Sequence, residues 1–385
     1  MPDSSARHAL VIGAGLAGAA TCAALARRGW RLTLLDAATG PAQGASALPV
    51  GMLSPHVTRA PTPMSRLSAL GVAATLDELQ RRVPQGHGWR TCEVDNLGHH
   101  PGRWPAAMVR PAALVKAWLD ESAQLGLLEC RWQANVHKLL RQSGLWQALD
   151  THGECLAQAP VVVVASAYGS HALLTGASSL VDGDALPLRP VKGQMSLGEL
   201  HEAPWAARPQ RDDGVFVPCY EDAGLAPQWP TRLWAMGSTY ERGENSTHLS
   251  ASAHERNAIG LESLCAPAAA ALREAQAQGS LLGWAQVRCA SQDRLPLVGA
   301  VPDGKTLEER MVQAGPRRGR MSLAETPRHD GLFMLSALGS RGIALAPWCA
   351  SRLAATMEGE PTPDEQADLL RAIDPARFAS KRARR

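Results

Sequence analysis

Residues 8–36 read HALVIGAGLAGAATCAALARRGWRLTLLD. The apolar run 8–12 stops at Gly13, and residues 16–28 carry Leu16, Ala19, Ala20, Ala23, Ala24 and Leu25 on one side of a helix that Gly29 ends. A second apolar strand, 31–36, closes on an acid, Asp36. Strand, glycine turn, helix and strand within about 30 residues make a βαβ unit. Its turn is Gly13-Ala14-Gly15-Leu16-Ala17-Gly18. In such a turn the first glycine permits the bend, the second lets a pyrophosphate reach the backbone, and the third lets helix pack on strand. The helix start supplies N–H groups and partial positive charge to phosphates. Asp36 stands where an acid accepts hydrogen bonds from a ribose diol.

The remainder of the chain is read outward from this unit. Residues 41–56 are loop-like, 65–82 are helical, and Pro111 opens a helix that Gly126 stops. Three strands are expected around 128–140, 144–150 and 155–165, the last carrying Val161–Val164, an apolar run suited to burial on both faces. Residues 181–250 alternate strands with Pro- and Gly-rich turns, 255–278 are a helix candidate, and 284–301 are strand and turn. Residues 331–338 are a strand running into Gly339-Ser340-Arg341-Gly342, with a helix from about 347 after Pro347. The polar stretch 303–330 reads as a loop insertion. The predicted architecture is α/β (α+β overall). A Rossmann-like dinucleotide-binding domain from 1–56, 108–180 and 285–385 carries an inserted strand-rich domain from 57–107 and 181–284.

Composition fits this reading. The chain has 385 residues, 45% hydrophobic and 19% charged, which excludes a disordered or collagen-like protein. Thirty-nine basic against 36 acidic residues leave +3, too little for a uniformly basic nucleic-acid binder. Charge is concentrated at the end, where residues 371–385 hold six basic side chains against Asp374 and form a basic tail able to attract a polyanion or simply to solubilise. The eight cysteines form no CxxC pair, so no zinc site is expected and free thiols are. The uncharged run 9–26 approaches the length of a membrane helix, but its Gly and Ala content and its place in the βαβ unit argue for a cytoplasmic protein without membrane contact.

The glycine turn alone does not separate NAD from FAD. Three further stretches favour FAD. Gly44-Ala45-Ser46 resembles the loop along the flavin pyrophosphate of amine-oxidising flavoproteins. Val161–Ala165 followed by Ser166, Ala167 and Gly169 resembles their second adenine-side strand, and Gly339-Ser340-Arg341-Gly342 their last turn beside the isoalloxazine. Together they resemble the glutathione-reductase/D-amino-acid-oxidase type of fold and the glycine oxidase superfamily. More specifically, residues 284–303, WAQVRCASQDRLPLVGAVPD, and 331–347, GLFMLSALGSRGIALAP, resemble the FAD-dependent oxidase half of the bifunctional tRNA 5-methylaminomethyl-2-thiouridine biosynthesis proteins. Residues 44–56 (GASALPVGMLSPH), 192–196 (KGQMS) and 237–243 (GSTYERG) agree with that family as well, so the resemblance covers nearly the whole chain.

That resemblance implies non-covalent FAD held by Gly13–Gly18, Asp36, Ala45, Ser46, Gly51, Met52, Val136, Ala165, Gly339, Ser340, Arg341, Gly342 and Ile343. It implies oxidative removal of the carboxymethyl group of 5-carboxymethylaminomethyl-(2-thio)uridine at the tRNA wobble position, giving the 5-aminomethyl nucleoside and glyoxylate. The tRNA anticodon loop would be the substrate and molecular oxygen the electron acceptor. The target side chain is an N-substituted glycine, and a carboxylate in a closed site calls for a planar double donor, which arginine provides and lysine does not. Arg288 is the first candidate and Arg341 the second; the alternatives are an Arg288–Asp293 ion pair and a purely flavin-directed Arg341. Tyr240 and Tyr220 are candidates to line the site or to pack, His56 to touch the ring or to serve the fold, and Cys289 adjoins Arg288. No metal is expected. The family's methyltransferase domain has no counterpart before the first strand, so a separate methyltransferase is expected to follow, and Arg317, Arg318 and Arg320 with the tail are candidates for RNA contacts. The competing readings are a free amino-acid oxidase (glycine, sarcosine or a D-amino acid), a non-catalytic flavin-bearing RNA-binding protein, and an NAD-linked dehydrogenase.

Overall fold

A computed structural model describes residues 7–98, 100–314 and 322–382. The chain divides into two compact units, one of residues 1–43, 115–189 and 289–385, the other of residues 44–114 and 190–288.

The first unit is built on a sheet whose strand order is Leu297–Pro302, Arg328–Ser336, Val161–Val164, His8–Ile12, Arg31–Leu35 and Leu128–Arg131. All neighbours run parallel except Leu297–Pro302, which is antiparallel to Arg328–Ser336. Parallel strands require long crossovers and are buried on both faces, which is why Ala9–Val11 and Val162–Val164 are fully buried. The crossover from His8–Ile12 is the helix Leu16–Ala26, and the helix Gly342–Met357 packs against it. A separate three-stranded sheet, Lys138–Gln142, Leu145–Leu149 and Cys155–Ala159, packs Leu139, Trp146 and Ala148 into the same core.

The second unit holds a long mixed sheet, ordered Glu241–Arg242, Leu188–Glu199, Arg232–Gly237, Gly214–Glu221, Gln210–Asp212, Trp89–Asn96, Gly102–Val109 and Gly51–Leu53; Leu282–Ser291 also pairs with Leu188–Glu199. The helices Ala251–Leu264 and Ala266–Gln278 pack Ala258, Leu261, Ala268 and Leu272 against Phe216, Trp234 and Met236.

Several local expectations change. The strand Gly51–Leu53, expected in the dinucleotide-binding domain, pairs antiparallel with Gly102–Val109 and so clusters with the second unit. Residues 128–165 form five strands rather than three, because the chain breaks between Leu128–Arg131 and Lys138–Gln142, where Gln133 takes positive φ, and again at Pro160 between Cys155–Ala159 and Val161–Val164. The candidate helix 255–278 is two helices broken at Cys265, with Pro267 opening the second. The last helix starts at Gly342, with Pro347 inside it rather than ahead of it. The stretch 303–330 is not a loop insertion throughout: Gly304–Ala314 is a helix that buries Leu307, and Arg328 already belongs to the sheet. Arg317, Arg318 and Arg320 lie outside the described residues.

The basic tail is also corrected in part. Ala367–Ile373 and Arg377–Arg382 are helices, and Ile373, Ala376, Phe378 and Ala379 are buried. Arg377, only 6% exposed, donates to both carboxylate oxygens of Asp293 at 2.7 and 2.8 Å and to the carbonyls of Pro296, Leu295 and Asp374. One of the tail's charges is therefore committed to holding the turn after Ser291. Arg384 and Arg385 lie outside the described residues. Among those described, no helix is long and apolar enough to cross a membrane.

Candidate active site

In the first unit the glycine turn is fixed by contacts that only glycine permits. Gly13 has φ +108°, and a Cβ there would lie 2.7 Å from the Ala165 carbonyl oxygen. A Cβ at Gly18 would lie 1.7 Å from the Gly13 carbonyl oxygen, so the helix could not close onto the strand. Gly13 N–H donates to the Leu35 carbonyl, and Ala165 N–H to that of Ile12, tying three strand ends together. The helix Leu16–Ala26 has no side-chain cap and no acid in its first turn, which leaves its positive end suited to an anion.

Asp36 stands where its spacing placed it. Its carboxylate accepts from Ala14 N–H at 2.6 Å and from Ala38 N–H at 2.8 Å. A carboxylate has about four lone-pair sites, so both oxygens keep capacity for ribose hydroxyls. The backbone of residues 133–134 bonds to Ala38 and Asp36, which brings the segment of Val136 alongside. From the other end of the chain, the turn Gly339–Arg341 (Gly339 φ +57°) leads into Gly342, whose Cβ position is 3.3 Å from Leu16 Cδ1. The fold therefore gathers Gly13–Gly18, Asp36, Val136, Ala165 and Gly339–Ile343 within one unit. Ala45, Ser46, Gly51, Met52, Tyr240 and Arg288 belong to the other.

In that second unit Arg288 is the organising residue. It lies on the strand Leu282–Ser291, where alternation turns Cys289 to the opposite face and into the core. Its guanidinium donates to Ser238 Oγ at 3.0 Å, to the Thr239 carbonyl at 2.6 Å and to the Lys192 carbonyl at 3.3 Å. Gly193 forms the floor beneath it: a Cβ there would lie 2.4 Å from Nη2 and 2.7 Å from Cζ. The Tyr240 ring flanks it, with its centroid 5.3 Å from Cζ. Burial pulls the guanidinium below its ordinary pKa, and Tyr240 acts in the opposite direction.

The loop that grips Arg288 is itself anchored. Thr239 N–H donates to the Gln194 carbonyl, and Gln194 N–H donates to Thr239 Oγ1. Thr239 Oγ1 in turn donates to Glu241, which pairs with Arg256 at 2.9 Å. Gly193, Ser238 and Thr239 escaped the sequence reading as individual residues. They lie in its quoted segments 192–196 and 237–243, but only the fold shows that these meet Arg288.

The alternative partner for Arg288, Asp293, is held by Arg377 instead. Tyr220 is buried and donates to Asp222, which also accepts from Arg110, so it serves the fold. Burial, then the Asp222 charge, pushes its hydroxyl well above the ordinary tyrosine range. His56 is tied by its backbone N–H to Ser68. Burial pushes the Cys289 thiol up to about 11, and Ser336 Oγ sits 3.7 Å from its sulfur. No cluster of metal-ligating side chains occurs among the described residues.

A glycine turn at an uncapped helix start, with an acid at the end of the next strand of a mostly parallel sheet, in a chain that also holds a strand-rich second unit, is the arrangement of a dinucleotide-dependent oxidoreductase. Residues 8–106 and 103–356 match the family of FAD dependent oxidoreductases, and the chain belongs to that family. Its cofactor is FAD, which the turn, the uncapped positive helix end and Asp36 fit.

The chain is 36% identical over 437 aligned residues to the tRNA 5-methylaminomethyl-2-thiouridine biosynthesis bifunctional protein MnmC of Verminephrobacter eiseniae (strain EF01-2). That match covers 96% of this chain and 63% of the relative, so the chain spans less than two thirds of the relative's length. Among solved structures, it is similar to glycine oxidase from Geobacillus kaustophilus, with TM-score 0.67, 18% identity, and 94% of this chain and 98% of that one covered. Iminodiacetate oxidase from Chelativorans sp. BNC1 aligns with TM-score 0.64, 19% identity and the same coverages. At these identities the two structures establish the fold, and the NAD-linked reading is set aside by the family.

Proposed function

We propose that this protein oxidises the N-carboxymethyl group of 5-carboxymethylaminomethyl-(2-thio)uridine at the tRNA wobble position. The reaction is R–NH–CH2–COO⁻ + O2 + H2O → R–NH2 + OHC–COO⁻ + H2O2. The observation that carries the reading is the 36% identity to the bifunctional tRNA-modifying relative over 96% of this chain.

FAD, when bound, supplies the two-electron acceptor. The chain's own part is to bind and orient. Arg288 would hold the substrate carboxylate by its positive charge, and its bonds to Ser238, Thr239 and Lys192 above Gly193 keep the guanidinium in one orientation. Fixing the carboxylate fixes the adjacent CH2, whose C–H bond is the one broken. A neutral secondary amine that loses hydride becomes an iminium ion, which water opens to glyoxylate and the primary amine, so no protein base is required for C–H cleavage. In the first unit, Gly13–Gly18 would hold the pyrophosphate, Asp36 the adenosine ribose, and Val136 and Ala165 the adenine side. Gly339–Ile343 are the same unit's further cofactor contacts, with Arg341 as a second carboxylate or flavin contact; Ala45, Ser46, Gly51 and Met52 are the second unit's candidate cofactor residues. A methyl-transfer step would consume the primary amine, in keeping with the methylaminomethyl product in the relative's name.

Mass analysis of wobble nucleosides from cells lacking the protein tests the reading. The carboxymethylaminomethyl nucleoside should accumulate. An unchanged nucleoside profile, with loss of peroxide formation from free glycine, would instead identify a free amino-acid oxidase.

A further inference from the structure

Tyr240 has a large exposed ring, 47% accessible, in a unit that buries Trp89, Phe216, Tyr220 and Trp234. Two guanidinium groups approach it. Arg288 is 5.3 Å from the ring centroid and belongs to the carboxylate clamp; Arg242 is 5.7 Å away and exposed. Arg242 lies on the edge strand Glu241–Arg242, in register with Val191, so its backbone is fixed by the same strand that carries Gly193. The neighbouring acid, Glu241, is engaged by Arg256 and Thr239. Among the described residues Arg242 has no carboxylate partner. The result is a line of three groups on one unit: a held arginine, an exposed aromatic ring, and an arginine open to an anion.

The proposed substrate has the same order of groups. Four bonds separate the uracil ring from the carboxylate carbon, a span of roughly 5 Å when extended, which is close to the Arg288–Tyr240 separation. Beyond the uracil come ribose and phosphate. Single-stranded RNA loops are recognised by stacking of unpaired bases on aromatic side chains and guanidinium planes, with cations on the backbone. We infer that Tyr240 packs against the wobble uracil and that Arg242 pairs with a phosphate flanking it, so that this edge distinguishes an RNA-borne N-carboxymethyl group from a free amino acid. The inference rests on the tRNA reading and adds the residues that recognise the nucleotide.

The test uses the FAD-loaded protein and an anticodon stem-loop RNA carrying 5-carboxymethylaminomethyluridine, with binding followed by fluorescence anisotropy across a salt series. For single-stranded RNA each phosphate contact contributes about 0.7 to the slope of log affinity on log salt. Arg242→Ala should make the slope shallower by about 0.7 and weaken binding about fivefold near 0.1 M salt. Arg242→Lys, which keeps the charge, should restore most of the slope. Tyr240→Ala should weaken binding by roughly tenfold with the slope unchanged, as expected of a lost stacking contact. Arg273→Ala, which removes an arginine paired with Glu255 and Glu262 on a helix, serves as the charge control and should leave the slope as in the wild type. If Arg242→Ala keeps the wild-type slope and affinity, or if Arg273→Ala changes the slope equally, the inference is wrong. Whether the wild-type protein converts this RNA to the aminomethyl form, measured on the same samples, judges the tRNA reading separately.

Discussion

Substituting Gly193 by alanine is a single-methyl probe of the arginine clamp. Gly193 does not have positive φ, so alanine brings no backbone strain. Its Cβ would sit 2.4 Å from Nη2 of Arg288, where ordinary contact begins at 3.4 Å. The guanidinium must therefore move by about 1 Å, away from the bonds it makes to Ser238 and Thr239. A displacement of that size in a positioning group costs roughly 100-fold in rate. Overpacking costs about 1–3 kcal/mol of stability, which a domain of this size tolerates. The assay is glyoxylate release from an N-carboxymethyl substrate, with flavin content and melting temperature measured alongside. Gly193→Ala should retain flavin and lose kcat/KM by about two orders of magnitude. A folded, flavin-loaded Gly193→Ala enzyme with wild-type kcat/KM would show that the Arg288 orientation is not what positions the substrate.

Arg288→Ala should lower turnover by roughly two to three orders of magnitude, since it leaves a buried carboxylate unpaired at a cost of about 3–5 kcal/mol. Arg288→Lys should recover little, because an ammonium cannot replace the planar fork; steady-state glyoxylate assays check both. Gly18→Ala places a methyl 1.7 Å from the Gly13 carbonyl oxygen and should yield protein without the visible flavin absorbance. At the chain's end, Asp293→Ala strands the buried Arg377 and should lower stability by about 3 kcal/mol in denaturant titration. Burial raises the Asp293 carboxyl, but Arg377, Ser291 and the Leu295 N–H outweigh it, and the net shift is downward. Its contribution to stability is therefore present above the unfolded value of about 3.9 and is lost as pH falls through the lower folded value. A pH series of melting temperatures should show an acid loss that Asp293→Asn reduces.

The glycine turn and the place of Asp36 were legible because their determinants are local. Glycines at 13, 15 and 18 and an acid at 36 are demanded by backbone approach over a short span, and no distant residue substitutes for them. The family resemblance of residues 284–303 and 331–347 likewise pointed to FAD and to Arg288. Less was visible where the determinant is a contact between distant segments. Nothing in the order of residues says that Gly193 lies under Arg288 or that the Thr239 carbonyl accepts from it. Arg377 read as one more charge in a basic tail because its partner, Asp293, is 84 positions away. The helix Gly304–Ala314 was hidden for a related reason: among its described side chains only Leu307 is buried, and one buried leucine leaves little apolar periodicity to read.

The most direct test of the central claim is a single-turnover experiment with purified FAD-loaded protein and tRNA bearing 5-carboxymethylaminomethyluridine. Loss of that nucleoside should be matched one-for-one by 5-aminomethyluridine and by glyoxylate, and Arg288→Ala should slow all three together. Persistence of the carboxymethylated nucleoside under conditions where the same protein oxidises free glycine would contradict it.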